Sequence, residues 1–243
     1  MSSIILEQVN LNYRVFTERR IKDIFFKPQG SQLIAQQSIH ALKDISIQLS
    51  EGDKLGIIGH NGAGKSSLLK TIAKIYPITS GGLEVKGRVA TLFELATGFE
   101  MEATGWENIL LRGLMLGESP QSMKQKKDEI AEFSELGDYL NIPVKYYSSG
   151  MFMRLAFSVS TAIEPDILLL DEVIAAGDAK FINKANKRIN DLMNKIKILV
   201  FVTHSMSSLK QFCNKCIWLE KGQIKMIGSP EEVSQLYIES SQE

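Results

Sequence analysis

The stretch Lys54 to Thr71, KLGIIGHNGAGKSSLLKT, constrains this chain more than any other. An apolar strand carrying Leu55, Ile57 and Ile58 runs into a glycine-rich turn, and a helix follows with Leu68, Leu69, Ile72 and Ala73 at helical spacing. Within it, Gly59, Gly64, Lys65 and Ser66 form the pattern Gly-x4-Gly-Lys-Ser. Each residue type suits a phosphate. Glycines let the backbone curl so that successive N–H groups point inward, and the helix behind adds the positive end of its dipole. In such a loop Lys65 reaches the β- and γ-phosphates of a nucleotide, and the Ser66 hydroxyl suits Mg²⁺.

With 243 residues the chain buries one substantial core and has little room for two full domains. Lys plus Arg and Asp plus Glu are both 28, so no overall basic field argues for a nucleic-acid partner. No apolar run approaches the roughly 18 residues of a membrane span. The N-terminus MSSIILEQVN lacks the basic start of a signal peptide, which leads us to expect the cytosol or the cytosolic face of a membrane. The two cysteines, Cys213 and Cys216, form a lone C-x2-C near the end of an expected helix. Without a second pair, and with His40, His60 and His204 scattered, they read as structural.

In chain order, Ile4 to Tyr13 is a first strand, and Tyr13 is a candidate to stack on an adenine, with Phe16 second. Residues 14–40 are locally basic in their first half and also carry Ile21, Ile24, Phe25 and Phe26. They fit either an amphipathic helix on a membrane surface or a solvated excursion. Two strands then turn about Glu51-Gly52-Asp53, and a further strand covers Val85 to Phe93. From about residue 95 to 160 helical spacing takes over, with Trp106–Leu116 and a segment opening at Ser119-Pro120. This is a helical subdomain inserted into an α/β core.

At Ile167 the core resumes with ILLLDEV, which puts Asp171 and Glu172 at the carboxyl end of a buried strand, where open α/β sheets bind ligands. One carboxylate there suits Mg²⁺, and its neighbour suits an attacking water. A helix over Phe181–Lys195 and the strand Ile198–Val202 deliver His204 to the same edge. A hairpin about Lys221-Gly222 and a helix opening at Ser229-Pro230 close the chain.

Tyr147-Ser148-Ser149-Gly150-Met151 precedes a helix (Phe152 to Ser160) about 20 residues before the Asp-Glu pair. It sits where the nucleotide-binding subunits of ABC transporters have a Leu-Ser-Gly-Gly-Gln signature, and the chain resembles that family along its whole length. The resemblance implies a P-loop NTPase α/β core with a RecA-like mixed sheet and flanking helices, an antiparallel β subdomain and an inserted α-helical subdomain. As one ABC ATPase domain, residues 1–94 and 161–243 make the catalytic core and 95–160 the helical part. ATP and Mg²⁺ are the implied cofactors.

Carried over residue by residue, the phosphate loop is Gly59, His60, Asn61, Gly62, Ala63, Gly64, Lys65, Ser66 and Ser67. Asp171 becomes the Mg²⁺-associated acid, Glu172 the general base, His204 the switch histidine and Tyr13 the adenine aromatic. Ser148 and Gly150 become contacts to the γ-phosphate held by an opposite subunit, and Asp178 an acid at that interface. The implied partners are a second copy in a homodimer closed around two ATP molecules, and an integral-membrane transporter subunit. The implied location is peripheral, on the cytoplasmic face of the bacterial inner membrane.

The chain departs from the pattern at Ser149, at Glu94 where a metal-ligating glutamine is usual, and at Ala175-Ala176-Gly177-Asp178, which keeps only the acid. Together with LFELATGFE, TGWENI and the 14–40 excursion, these departures are similar to the polysaccharide-export branch, which moves lipid-linked O-antigen, teichoic acid or capsule chains. Ending at Glu243, the chain is expected to lack the carbohydrate-binding domain that some O-antigen members append. The alternatives are a soluble P-loop kinase or DNA-repair ATPase, and a subunit that binds ATP without turnover. A kinase has no use for a second anion site at Ser148, ABC-type ATPases that act on DNA carry long heptad coiled coils that do not fit here, and retention of Glu172 and His204 counts against a binding-only subunit.

Overall fold

A computed structural model describes residues 1–16, 36–171 and 179–240. The 14–40 excursion between residues 17 and 35, and Glu172 through Asp178, lie outside the described residues.

Two sheets share one apolar interior. The first is antiparallel, with β1 (Ser3–Phe16) between β2 (Gln36–Ser50) and β4 (Ser80–Lys86). Alternation drives it: Ile4, Leu6, Val9 and Leu11 of β1, and Leu42, Ile45, Ile47 and Leu49 of β2, all face inward and are at most 8% exposed. The β1–β2 ladder is longer than the spacing implied, because it runs on from Tyr13 opposite Ile39 to Phe16 opposite Gln36. Those outer positions lack an apolar alternation, so a strand there left no periodic signal.

The second sheet has the order β5-β6-β7-β3-β8-β9. Its members are β3 (Lys54–Ile58), β5 (Val89–Thr91), β6 (Ile167–Asp171), β7 (Ile198–Val202), β8 (Lys215–Glu220) and β9 (Gln223–Gly228). Every pairing is parallel except β8 with β9, the hairpin expected at Lys221-Gly222. The central β7 is buried at all its positions, as its unbroken apolar run requires. The single strand expected over Val85–Phe93 is instead two strands in different sheets, β4 and β5. Gly87 makes the break: its φ of 117° is left-handed, and an added Cβ would stand 3.1 Å from both Asp166 and Ser2.

Helix α1 (Lys65–Ile72) packs Leu68, Leu69 and Ile72, all at most 1% exposed, between the two sheets. Three helices fill the stretch between β5 and β6: α2 (Gly105–Met115), α3 (Pro120–Ser134) and α4 (Ser149–Thr161). Their starts are encoded locally. Thr104 and Glu107 form a reciprocal capping box, and Ser119 caps α3 ahead of Pro120. These helices have an apolar cluster of their own around Ile109, Met123, Ile130 and Leu155. Helix α4 also turns Ala156 and Phe157 into the cluster beneath the parallel sheet, where α5 (Ala179–Lys195) supplies Phe181, Ala185, Ile189 and Met193. The chain finishes with α6 (Met206–Phe212) before β8 and α7 (Pro230–Ser240) after β9. Cys213 caps α6 and Cys216 lies inside β8; burial pushes both thiols up to about 12.

Candidate functional site

The loop between β3 and α1 is set by its neighbours. Gly64 at the helix start has φ 106°, and a Cβ there would meet the Ala41 carbonyl oxygen at 2.8 Å. No side chain caps α1, so no described side chain competes with a phosphate for its first N–H groups. The Lys65 ammonium donates to the carbonyl oxygens of Gly59 at 2.6 Å and His60 at 3.0 Å, with the side chain almost wholly buried. Those bonds lay the cation along the loop.

Parallel register brings the remaining groups to the same edge. Asp171 of β6 pairs with Val202 of β7, which pairs in turn with Ile57 of β3, so the residues after all three strands meet at their carboxyl ends. Ser66 Oγ donates to Asp171 Oδ2 at 3.1 Å, 105 positions apart in sequence. His204, exposed just past β7, lines the same cavity of about 710 Å³ as Lys65, Ser66, Ser67 and Asp171. A hydroxyl and a carboxylate so placed are hard oxygen donors of the kind Mg²⁺ takes together with substrate phosphates. Among the described residues no set of three or more His, Cys, Asp or Glu gathers to hold a metal.

Tyr13 also lines the cavity; its hydroxyl donates to Ser67 Oγ at 3.0 Å, and its ring meets Tyr76 edge-on at 5.4 Å. Burial raises its pKa, so it stays a neutral donor. His60 differs from the rest of the loop: its ring tilts onto Tyr237 of α7 at 5.3 Å, and its carbonyl alone engages Lys65. Glu94 pairs with Lys70 at 3.2 Å and lines an adjoining concavity that it shares with Asp171. The side chain of Phe16, with Glu172 and Asp178, falls outside the described residues.

Ser148 and Gly150 do not line the loop cavity. Ser148 is exposed and caps α4, accepting from Met151 N at 3.2 Å. The segment before it is pinned by the half-buried Tyr147, whose hydroxyl, pushed up to about 12 by partial desolvation, donates to the Tyr139 carbonyl at 2.7 Å. A Cβ on Gly150 would find only Ser148 Oγ, at 3.9 Å.

Sequence reasoning missed one wall of the cavity. Lys43 of β2 and Lys221 of the β8–β9 turn line it beside the loop. They are brought there by Lys43 N donating to the Gly222 carbonyl at 2.8 Å and Gly222 N to the Ala63 carbonyl at 2.9 Å. Contacts between strands so distant in sequence leave no local pattern to find.

A family profile described as ABC transporter matches residues 42–175. The chain is 44% identical to the O-antigen export system ATP-binding protein RfbE of Yersinia enterocolitica, over 92% of this chain and 97% of that protein. It is 37% identical to the teichoic acids export ATP-binding protein TagH of Bacillus anthracis over 96% of this chain, which spans 42% of that longer protein. Its fold matches a dimeric ATP-binding cassette in a post-hydrolysis state bound to ADP and Pi, with a TM-score of 0.66 and 21% identity over 93% of this chain and 98% of that one.

Proposed function

This chain belongs to the ABC transporter family, and from that premise we propose that it is the ATP-hydrolysing motor of an exporter that moves lipid-linked polysaccharide, with O-antigen as the first cargo. The observation that carries the reading is the meeting of Lys65, Ser66, Asp171 and His204 around one cavity at the carboxyl edge of the parallel sheet. The O-antigen and teichoic acid export for which its relatives are named supports the cargo class, and TagH makes teichoic acid the second reading.

The loop from Gly59 to Ser67 cradles the phosphates of ATP, Tyr13 flanks the base, and Ser66 with Asp171 would hold Mg²⁺, which would draw charge off the phosphate oxygens. Glu94 is the further carboxylate within that region. Lys65 leaves its loop carbonyls for the β- and γ-phosphates and stabilises the charge that develops between them. Glu172 takes a proton from the attacking water, and His204 contacts the γ-phosphate.

The second anion site completes the arrangement only with another copy. Ser148 and Gly150 stand outside the loop cavity of their own chain and face open space, which supports a head-to-tail homodimer with Asp178 at the interface. Residues 95–160 act as the helical subdomain within one ATPase domain. On α2 the outward Leu110, Leu111, Leu114 and Met115 are 37–66% exposed, an apolar stripe suited to a membrane-spanning subunit. Its far end abuts Gly98, just past the Glu94 segment, so motion at the nucleotide has a mechanical route to that stripe. Among the described residues no helix is long and apolar enough to cross a membrane. The export systems to which its relatives belong support a peripheral place on the cytoplasmic face of the bacterial inner membrane.

The test is mass spectrometry of membrane lipids from cells whose only copy carries Glu172→Gln. Accumulation of polyprenyl-diphosphate-linked glycan supports export, and its sugars name the cargo. An unchanged pool with hydrolysis abolished leaves the motor standing and removes the polysaccharide.

A further inference from the structure

Asp171 borders two cavities at once. One is the loop cavity, and the other, of about 540 Å³, is walled by Leu92 to Thr97 and Met153. Glu94 lies in that second wall, so a second carboxylate stands beside the place where Ser66 and Asp171 meet. A divalent cation there would draw in Glu94, since its oxygens are donors of the same hard kind. The fold gives Glu94 a different partner.

The Lys70 ammonium lies 3.2 Å from Glu94 Oε1, with side-chain exposures of 29% and 27%. Lys70 is one helical turn beyond Ser66 on α1, so the same face that presents the hydroxyl to Asp171 also anchors Glu94. The ammonium is further held 5.3 Å over the ring of Tyr76, which packs edge-on against Tyr13. The hydrogen bond to Glu94 raises the Lys70 pKa, keeping the cation charged.

We propose that Lys70 is a positioning residue that competes with the divalent cation for Glu94, holding this carboxylate outside the cation's inner shell and cancelling its charge beside the nucleotide. The proposal rests on reading the loop cavity as a Mg²⁺-nucleotide site. Its consequence is a cation held by Asp171 as the sole inner carboxylate among the described residues, loosely enough to leave with the product. Lys70 also ties this balance to the nucleotide's other end, because Tyr76 links it to Tyr13 and thence to Ser67.

The test is Mn²⁺ binding to the full chain at saturating ADP, where no turnover occurs, read from the electron paramagnetic resonance of free Mn²⁺. Wild type is compared with Lys70→Met, Lys70→Gln, Glu94→Gln and the Lys70→Met/Glu94→Gln double variant. Releasing one full charge at a partly exposed site should tighten Mn²⁺ binding about tenfold in both single Lys70 variants. Glu94→Gln alone leaves the Lys70 charge uncompensated and should weaken Mn²⁺ binding several-fold, whereas the double variant, lacking both charges, should return near wild type. Unchanged or weaker binding in both Lys70 variants, or a double variant that keeps their change, overturns the proposal and leaves Lys70 as packing for Tyr76. A wild-type chain that takes up no Mn²⁺ with ADP refutes the Mg²⁺-nucleotide reading, and this proposal falls with it.

Discussion

Two helices of this protein begin with a glycine two positions from a serine, Gly64 with Ser66 and Gly150 with Ser148, and the two beginnings are built in opposite ways. At α1, Gly64 is wedged against Ala41, and Lys65 is 7% exposed with its ammonium fastened to the loop. The fold itself demands each residue. At α4, Ser148 is exposed, and Gly150 has open space where a Cβ would stand. Among the described residues nothing requires a glycine there, and glycine in a helix costs about 0.5–1 kcal/mol relative to alanine. The first end is tied into its own fold, whereas the second, in the proposed dimer, would find its use against another copy.

Breaking the first end should have the largest effect. Lys65→Ala removes charge-assisted bonds to phosphate and should weaken fluorescent-ADP binding by about a hundredfold, the equivalent of roughly 2.7 kcal/mol. Binding within a few-fold of wild type would detach the lysine from the nucleotide. Gly64→Ala forces a side chain into a left-handed backbone, at about 1–2 kcal/mol, and should lower both melting temperature and ADP affinity.

The matched change at the second end sharpens the contrast. Gly150→Ala should leave the monomer's ADP affinity unaltered and raise its stability by up to about 1 kcal/mol. ATP-driven dimerisation, followed by light scattering in a Glu172→Gln background, should weaken by about tenfold or more, one large interface contact. If Gly150→Ala lowers ADP binding by the isolated chain, the division between the two ends is wrong. Ser148 separates capping from contact: Ser148→Ala should cost about 1 kcal/mol of stability, while Ser148→Asp keeps the cap. The aspartate should still abolish dimerisation, because its charge opposes a γ-phosphate.

The smallest effect belongs to the cysteines. With both thiols raised to about 12, they stay neutral at pH 8 and should resist maleimide until the chain unfolds. A thiol whose pKa is higher folded than unfolded stabilises the fold below its ordinary value of about 9 and loses that contribution as pH climbs from there toward 12. Rapid labelling of the native chain at pH 8 would contradict the burial.

What the sequence by itself determined was everything written in short-range pattern. The Gly-x4-Gly-Lys-Ser string placed the loop, and the strand expected at Ile198–Val202 is β7. Ser148 and Ser119 stood just ahead of expected helices, and both cap as their chemistry requires. Strand ends also placed Asp171 and His204 at one edge, because apolar runs in a parallel sheet stop at a common rim. Only the tertiary structure decided the break at Gly87, which sends β4 and β5 to different sheets, and the wall that Lys43 and Lys221 add to the cavity. It alone joined Glu94 to Lys70, since a charge on a loop carries no local mark of its partner. Backbone pattern is set by neighbours a few residues away, whereas the pairing of charges and the choice of sheet are set by which distant surfaces bury together.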